Sequence, residues 1–257
     1  MIAVDGPLVG GTANRGRIVR VGDTVHRPLG EHSRAVHAFL NHLEARGFDG
    51  SPRVRNTHGD TEVLSYLPGT AANDPAPQWA LTEDALRGVG VLLQALHTHS
   101  AGFDGTGLRW QRSVPARWRG PLITHNDPHP ANVIFRDERP VALIDFDLAA
   151  PSCRAWELAV AACFWIPLCD ERDVDDSRQG AALTRLRALL DAYGASARLR
   201  REVVDATVEA NGWISTIIES GARHGHPAFG EVWRSTAARY TRAHEWLATN
   251  SRRLANV

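Results

Sequence analysis

The chain has 257 residues, 43% of them hydrophobic and 23% charged, with 29 basic and 29 acidic side chains that balance to a formal net charge of zero. That length supports a substantial core in one domain or two, and the neutral balance gives no electrostatic case for a nucleic acid or an anionic membrane surface as partner. No apolar run approaches the length of a membrane span, the start of the chain lacks the basic and apolar regions of a signal peptide, and Cys153, Cys163 and Cys169 are too few and too scattered for a disulfide framework or zinc knuckle. The expected location is the cytoplasm.

In chain order, Leu8-Val9 leads through Gly10-Gly11 to the apolar stretch 17–21, then a Gly22-Asp23 turn and residues 24–27, a pattern that predicts a three-strand meander. A helix is expected over 33–46, capped by Ser33 and closed by Gly47, with Val36, Phe39, Leu40 and Leu43 on its core face. Val54 and residues 62–67 predict two more strands, ended by Pro68-Gly69. Residues 70–78 are rich in Ala, Pro and Asn and read as a linker. Beyond them the pattern turns helical at 83–98, where Leu86, Val89, Leu92, Leu93 and Leu96 share a face, and again at about 154–168, 179–193, 198–220 and 231–250. Between these, 120–124, 133–135 and 141–144 predict short strands, the last two joined by the turn-like 136–140.

The chemistry concentrates in that strand region. His125-Asn126-Asp127-Pro128-His129-Pro130-Ala131-Asn132 is followed by Leu143-Ile144-Asp145-Phe146-Asp147. Asp127 and Asn132 lie in the loop after the first strand, and Asp145 at the end of the hairpin, so three oxygen-bearing side chains converge. Phosphoryl transfer to a hydroxyl asks for such a set: a carboxylate for the acceptor hydroxyl and hard oxygen ligands for the Mg²⁺ that accompanies a nucleoside triphosphate. Asp127 fits the first role; Asn132 and Asp145 fit the second.

These residues resemble the catalytic core of the aminoglycoside phosphotransferase family, the choline-kinase-like branch of the protein-kinase-like fold, which writes the motif H-x-D-x-x-P-x-N followed by I-D-[FW]-x. The resemblance spans nearly the whole chain. It implies an α+β bilobal fold: a small β-rich N-lobe with one helix, residues 1–69 with a hinge at about 63–69, and a larger, mainly helical C-lobe, 70–257, carrying the active-site hairpin. By that resemblance Asp127 is the catalytic aspartate, Asn132 and Asp145 are Mg²⁺ ligands, and Asp147 is a further metal or supporting carboxylate. His129 stands where protein kinases keep a phosphate-contacting lysine. Gly10, Gly11, Thr12 and Asn14 match the nucleotide loop, and Ser65 and Leu67 fall at the hinge that meets the purine. Glu157 occupies a position usually written Asp, with a structural role in tying its helix to the catalytic loop.

One departure stands out. Kinases pair a lysine on the third strand with a glutamate on the next helix. This chain has no lysine; the strand position is Arg27, and the facing helix positions, Val36, His37 and Ala38, offer no carboxylate. The expected function is an ATP- or GTP-dependent kinase transferring the γ-phosphoryl group to a hydroxyl of an aminoglycoside-like antibiotic or a metabolite, with no obligate protein partner. Two alternatives stay open: a non-catalytic nucleotide-binding protein, or a housekeeping kinase of choline, homoserine or a thiosugar. For the acceptor, the acidic run 170–176 reads either as a cation-gathering patch or as a solvated loop, and Glu209, Trp213 and Glu219 are candidate pocket residues on one helix.

Overall fold

The computed structural model describes residues 4–7, 17–73, 75–254 and 257. The expected strand at Leu8-Val9 and the nucleotide loop with Gly10, Gly11, Thr12 and Asn14 lie outside the described residues.

The N-lobe is a five-stranded antiparallel sheet in the order β1-β2-β3-β5-β4. Its strands are β1 (Val4–Pro7), β2 (Val19–Val21), β3 (Thr24–Pro28), β4 (Val54–His58) and β5 (Thr61–Ser65), and helix α1 (Ser33–Ala45) follows β3. The core face of α1 is the expected one: Val36, Phe39, Leu40 and Leu43 are buried. Its start is not. Ser33 is the first helical residue rather than the cap, and its hydroxyl accepts from the Gly30 N–H at 2.9 Å, closing the turn that enters the helix. The β3–β5 register makes Arg27 and Glu62 direct cross-strand partners, which puts both side chains on one face of the sheet.

Pro68-Gly69 follows the N-terminal sheet. Gly69 has φ 142°, and a Cβ there would sit 2.5 Å from the Phe135 carbonyl oxygen, so only glycine lets the chain pass the C-lobe hairpin this closely. Just beyond, β6 (Thr70–Ala71), inside the stretch read as linker, pairs with β8 (Val133–Arg136), which pairs in turn with β9 (Arg139–Leu143). Asp137 and Glu138 both have positive φ, and they turn this tight hairpin.

The C-lobe is built on α2 (Glu83–Ser100), α3 (Arg154–Trp165), α4 (Ala182–Tyr193), α5 (Ala197–Arg223) and α6 (Pro227–Leu254), with β7 (Leu122–Thr124) pairing antiparallel to β10 (Ala150–Ser152). Helix α3 is apolar nearly all round; Leu158, Ala159, Val160, Ala161, Ala162 and Trp165 are fully buried, and this makes it the central element. α5 and α6 form a long antiparallel hairpin packed on α3 through α5. No helix among the described residues is long and apolar enough to cross a membrane.

Candidate active site

The loop after β7 is held from below by Glu157 of α3. This fully buried carboxylate accepts from the His125 N–H at 2.5 Å and the Asn126 N–H at 2.9 Å. Asn126 takes a left-handed conformation (φ 63°), and its side chain bridges two parts of the site. Oδ1 accepts from the Thr124 hydroxyl at 2.8 Å, and Nδ2 donates to the Leu148 carbonyl at 3.0 Å. His125 Nδ1 accepts from the Asp127 N–H, leaving Nε2–H to donate to the Ile144 carbonyl at 2.9 Å. Burial lowers the His125 pKa against the opposing charge of Glu157, in keeping with a neutral ring that uses one nitrogen each way. Trp165 Nε1 donates to the Pro128 carbonyl at 2.6 Å and fixes the far side of the loop.

These anchors present Asp127. Asn132 Nδ2 donates to Asp127 Oδ2 at 2.8 Å and to its carbonyl at 3.0 Å, so the amide holds the Asp127 carboxylate in place. Burial, then the neighbouring charge of Asp145, pushes the Asp127 carboxyl well above the ordinary carboxylate range, against the opposing effect of the Asn132 bond. Asp145 sits in a left-handed conformation (φ 62°, ψ 64°), a costly backbone for a non-glycine residue and one that aims its carboxylate into the site.

Arg27 reaches into the same place from the N-lobe. Its Nη1 meets Asp145 at 3.2 Å, its Nη2 meets Asp147 at 2.7 Å, and His32 Nε2 lies 3.4 Å from Asp147. Burial and the charge of Asp147 push Asp145 up to about 6 despite Arg27. For Asp147, burial is outweighed by the bond to His32 and the charge of Arg27, and its carboxyl is held down at about 2. The donor set fits Mg²⁺: hard oxygens from an amide and a carboxylate, with a second carboxylate beside them. Among the described residues no three His, Cys, Asp or Glu side chains form a closed metal cage.

The structure also supplies what the sequence left missing. Arg27 Nε donates to Glu62 Oε1 at 2.6 Å, and Glu62, 1% exposed, bonds in turn to His37 of α1. The carboxylate partner of the third-strand cation therefore comes from β5, not from the helix. In the sequence, Glu62 looks like the polar residue of an alternating strand, and only the β3–β5 register reveals it.

Other expected residues fall as follows. At the hinge, Ser65 N–H and hydroxyl both engage Arg53, the N–H donating to its carbonyl and the hydroxyl accepting from its N–H, each at 2.8 Å; Leu67 follows outside the strand. His129 caps the short turn Pro130–Asn132, accepting from the Ala131 N–H, and packs edge-on to Phe164. The pocket candidates on α5 are occupied elsewhere: Glu209 faces Arg117, Glu219 faces Arg223, and Trp213 donates to the Ser113 carbonyl while packing edge-on to Trp156. On α6, the Tyr240 phenol is raised, by burial first and then by the neighbouring Cys163. In the acidic run, Asp170 pairs with Arg172 at 3.0 Å, Asp176 with Arg178 at 2.7 Å, and Asp173 with Arg242 of α6.

Residues 103–203, which hold the catalytic loop and the metal loop, match the model of the "Phosphotransferase enzyme family". The trifolitoxin immunity protein of Rhizobium leguminosarum bv. trifolii is 31% identical over 252 residues, covering 92% of this chain and 94% of that protein. The chain belongs to the phosphotransferase enzyme family. The homoserine kinase of Brucella anthropi is 30% identical over 187 residues, 70% of this chain but only 50% of that kinase. Among solved structures, the ethanolamine kinase of Plasmodium vivax superposes with a TM-score of 0.66 at 10% identity, over 93% of this chain and 82% of the other, a likeness of fold. The protein is thus a phosphotransferase of protein-kinase-like fold.

Proposed function

We propose that the protein transfers the γ-phosphoryl group of Mg²⁺-ATP or Mg²⁺-GTP to a hydroxyl of an antibiotic- or toxin-like small molecule, and that Asp127 is its catalytic residue. The observation that supports this reading is the Asp127–Asn132 bond, which holds the carboxylate of the first motif beside the amide, with Asp145 as the nearest charge. Asp127 accepts the proton of the acceptor hydroxyl or orients it; burial and the charge of Asp145 raise its carboxyl above the ordinary range, which strengthens it as a base. Asn132 and Asp145 hold Mg²⁺, with Asp147 beside them; the ion when bound offsets charge on the phosphates. Arg27 and the loop containing Gly10, Gly11, Thr12 and Asn14 hold phosphate oxygens, with His129 nearby, and the hinge at Ser65 and Leu67 meets the base. The division at 69/70 then separates a nucleotide-binding lobe from a catalytic and acceptor-binding lobe.

For the acceptor, the near full-length correspondence with an immunity protein favours a toxin or antibiotic over homoserine, whose kinases correspond over half their length. The paired acids of residues 170–176 lend no support to capture of a polycation. The non-catalytic alternative loses its motive, because the cation–carboxylate pair exists through Glu62. The test is nucleotide consumption against a panel of antibiotics, toxins and metabolites, with product mass as readout. A phosphorylated product formed by wild type and not by Asp127→Ala supports the proposal; equal turnover by Asp127→Ala removes it.

A further inference from the structure

The third-strand cation of this chain is held in an unusual way. Arg27 is 7% exposed and each of its three side-chain nitrogens meets a carboxylate: Nε Glu62, Nη1 Asp145 and Nη2 Asp147. The three contacts are not equivalent. Asp145 and Asp147 lie in the loop to which the proposed function assigns Mg²⁺ and phosphate, so those bonds would loosen when the nucleotide binds. Glu62 lies behind, on the neighbouring strand, in direct register with Arg27. It engages the Nε edge of the guanidinium, the edge away from the fork that a phosphate would take. On its other side Glu62 bonds to His37, which sits on α1 among helix positions that contain no carboxylate.

We propose that Glu62 is a positioning residue for the nucleotide: braced against α1 by His37, it pins the Nε edge of Arg27 so that the two terminal nitrogens serve the phosphates instead of collapsing onto Asp145 and Asp147. This deepens the phosphotransferase reading and rests on it. Physically, the pin sets a competition. A charged Glu62 balances the guanidinium from behind and keeps it from seating fully on the metal-side carboxylates. With that charge removed, Arg27 has only Asp145 and Asp147 to neutralise it, and it competes with Mg²⁺-nucleotide for them. His37 replaces in kind what a helix glutamate does elsewhere: it ties the cation's strand to the helix that closes the cleft.

The experiment compares wild type with Glu62→Gln, His37→Leu, His37→Gln and the double variant Glu62→Gln/His37→Glu, which moves the carboxylate to the helix. Thermal melts establish that each is folded. Binding of a fluorescent ATP analogue, with and without Mg²⁺, is measured without acceptor, followed by KM for nucleotide and for acceptor separately. Glu62→Gln is expected to weaken Mg²⁺-nucleotide binding and raise the nucleotide KM about tenfold, as for loss of one charge-assisted contact, with acceptor KM unchanged. His37→Leu shifts the same way, His37→Gln keeps a donor and stays near wild type, and the double variant recovers nucleotide affinity. Unchanged nucleotide binding in a folded Glu62→Gln protein overturns the inference, as does equal loss for both substrates or a double variant no better than the single. If wild type itself binds neither ATP nor GTP, the phosphotransferase reading beneath it fails instead.

Discussion

Glu157→Gln is the substitution whose consequence the structure fixes most tightly. It changes one oxygen to an NH₂ group with almost no change of shape at a fully buried position. In the native loop both carboxylate oxygens are used, Oε2 by the His125 N–H at 2.5 Å and Oε1 by the Asn126 N–H at 2.9 Å. A glutamine carbonyl serves one of these donors, and its NH₂ then faces the other, donor against donor. Turning the NH₂ toward His97 Nε2, which lies 3.6 Å from Oε2, only changes which backbone amide goes without an acceptor. The loss is one charge-assisted hydrogen bond, about 1.5–3 kcal/mol, plus a buried unsatisfied donor at about 1–3 kcal/mol, or roughly 2.5–6 kcal/mol together. In a chain of this size that lowers Tm by on the order of 10 °C. Scanning calorimetry gives the Tm, and amide hydrogen exchange reports on His125 and Asn126 directly. Because the same two residues precede Asp127, kcat is expected to fall with nucleotide affinity retained. Glu157→Asp, which keeps the charge, is expected to lie between. A Glu157→Gln protein melting within about 2 °C of wild type, with both amides still protected, would falsify the assignment of Glu157 as the anchor of the loop.

Three further outcomes follow from the same geometry. Asp127→Asn is expected to reduce kcat by roughly 10²–10⁴ while binding nucleotide normally, and in the metal-free protein to melt higher than wild type. The sign is set by the raised folded pKa: ionising Asp127 costs the fold stability, nothing below about pH 4 and more as pH rises, so the gain in Tm should grow from pH 4 toward pH 8. Asp145→Asn should abolish the Mg²⁺ dependence of nucleotide binding, seen by titration with and without the ion; a wild-type response to Mg²⁺ would remove Asp145 from the metal's ligands. Finally, because Asp170, Asp173 and Asp176 are already paired with arginines, acceptor KM should vary less than about twofold between low and high salt, whereas a patch that gathers a polycation would show KM rising steeply.

Much of this was legible in the sequence because it is local. The hydrophobic periodicity of 83–98 and 33–46 placed α2 and α1 to within a residue or two, and the Asp127, Asn132 and Asp145 spacing marks the site because loop, hairpin and metal loop are consecutive. What was not legible depends on pairing between distant segments. Glu62 is separated from Arg27 by 35 positions, and only a strand register brings them together. β10 is three residues long, exists through its pairing with β7, and carries no pattern of its own. Trp213 and Glu209 read as pocket candidates because helical spacing fixes a face but not what that face meets. The acidic run 170–176 suggested a patch for a similar reason: composition counts its carboxylates but not Arg242, which comes from a helix far along the chain.

The charge balance at the centre of the site gives the arrangement its direction. Asp127, Asp145 and Asp147 crowd into one cleft, faced by Arg27 and His32. Two of the three carboxyls respond by holding protons more tightly than usual, Asp127 well above its ordinary range and Asp145 up to about 6, and burial is the first cause in each. A fold gains nothing from such a cluster on its own account, since burying like charges together is destabilising. Under the proposed function a divalent cation with its phosphates would offset that cost, and Arg27 would meet phosphate oxygens in place of carboxylates. A permanently charged arginine in that position needs a counter-charge that does not leave when the substrate arrives. Glu62, set behind it on β5 and away from the metal loop, is the residue placed to supply one.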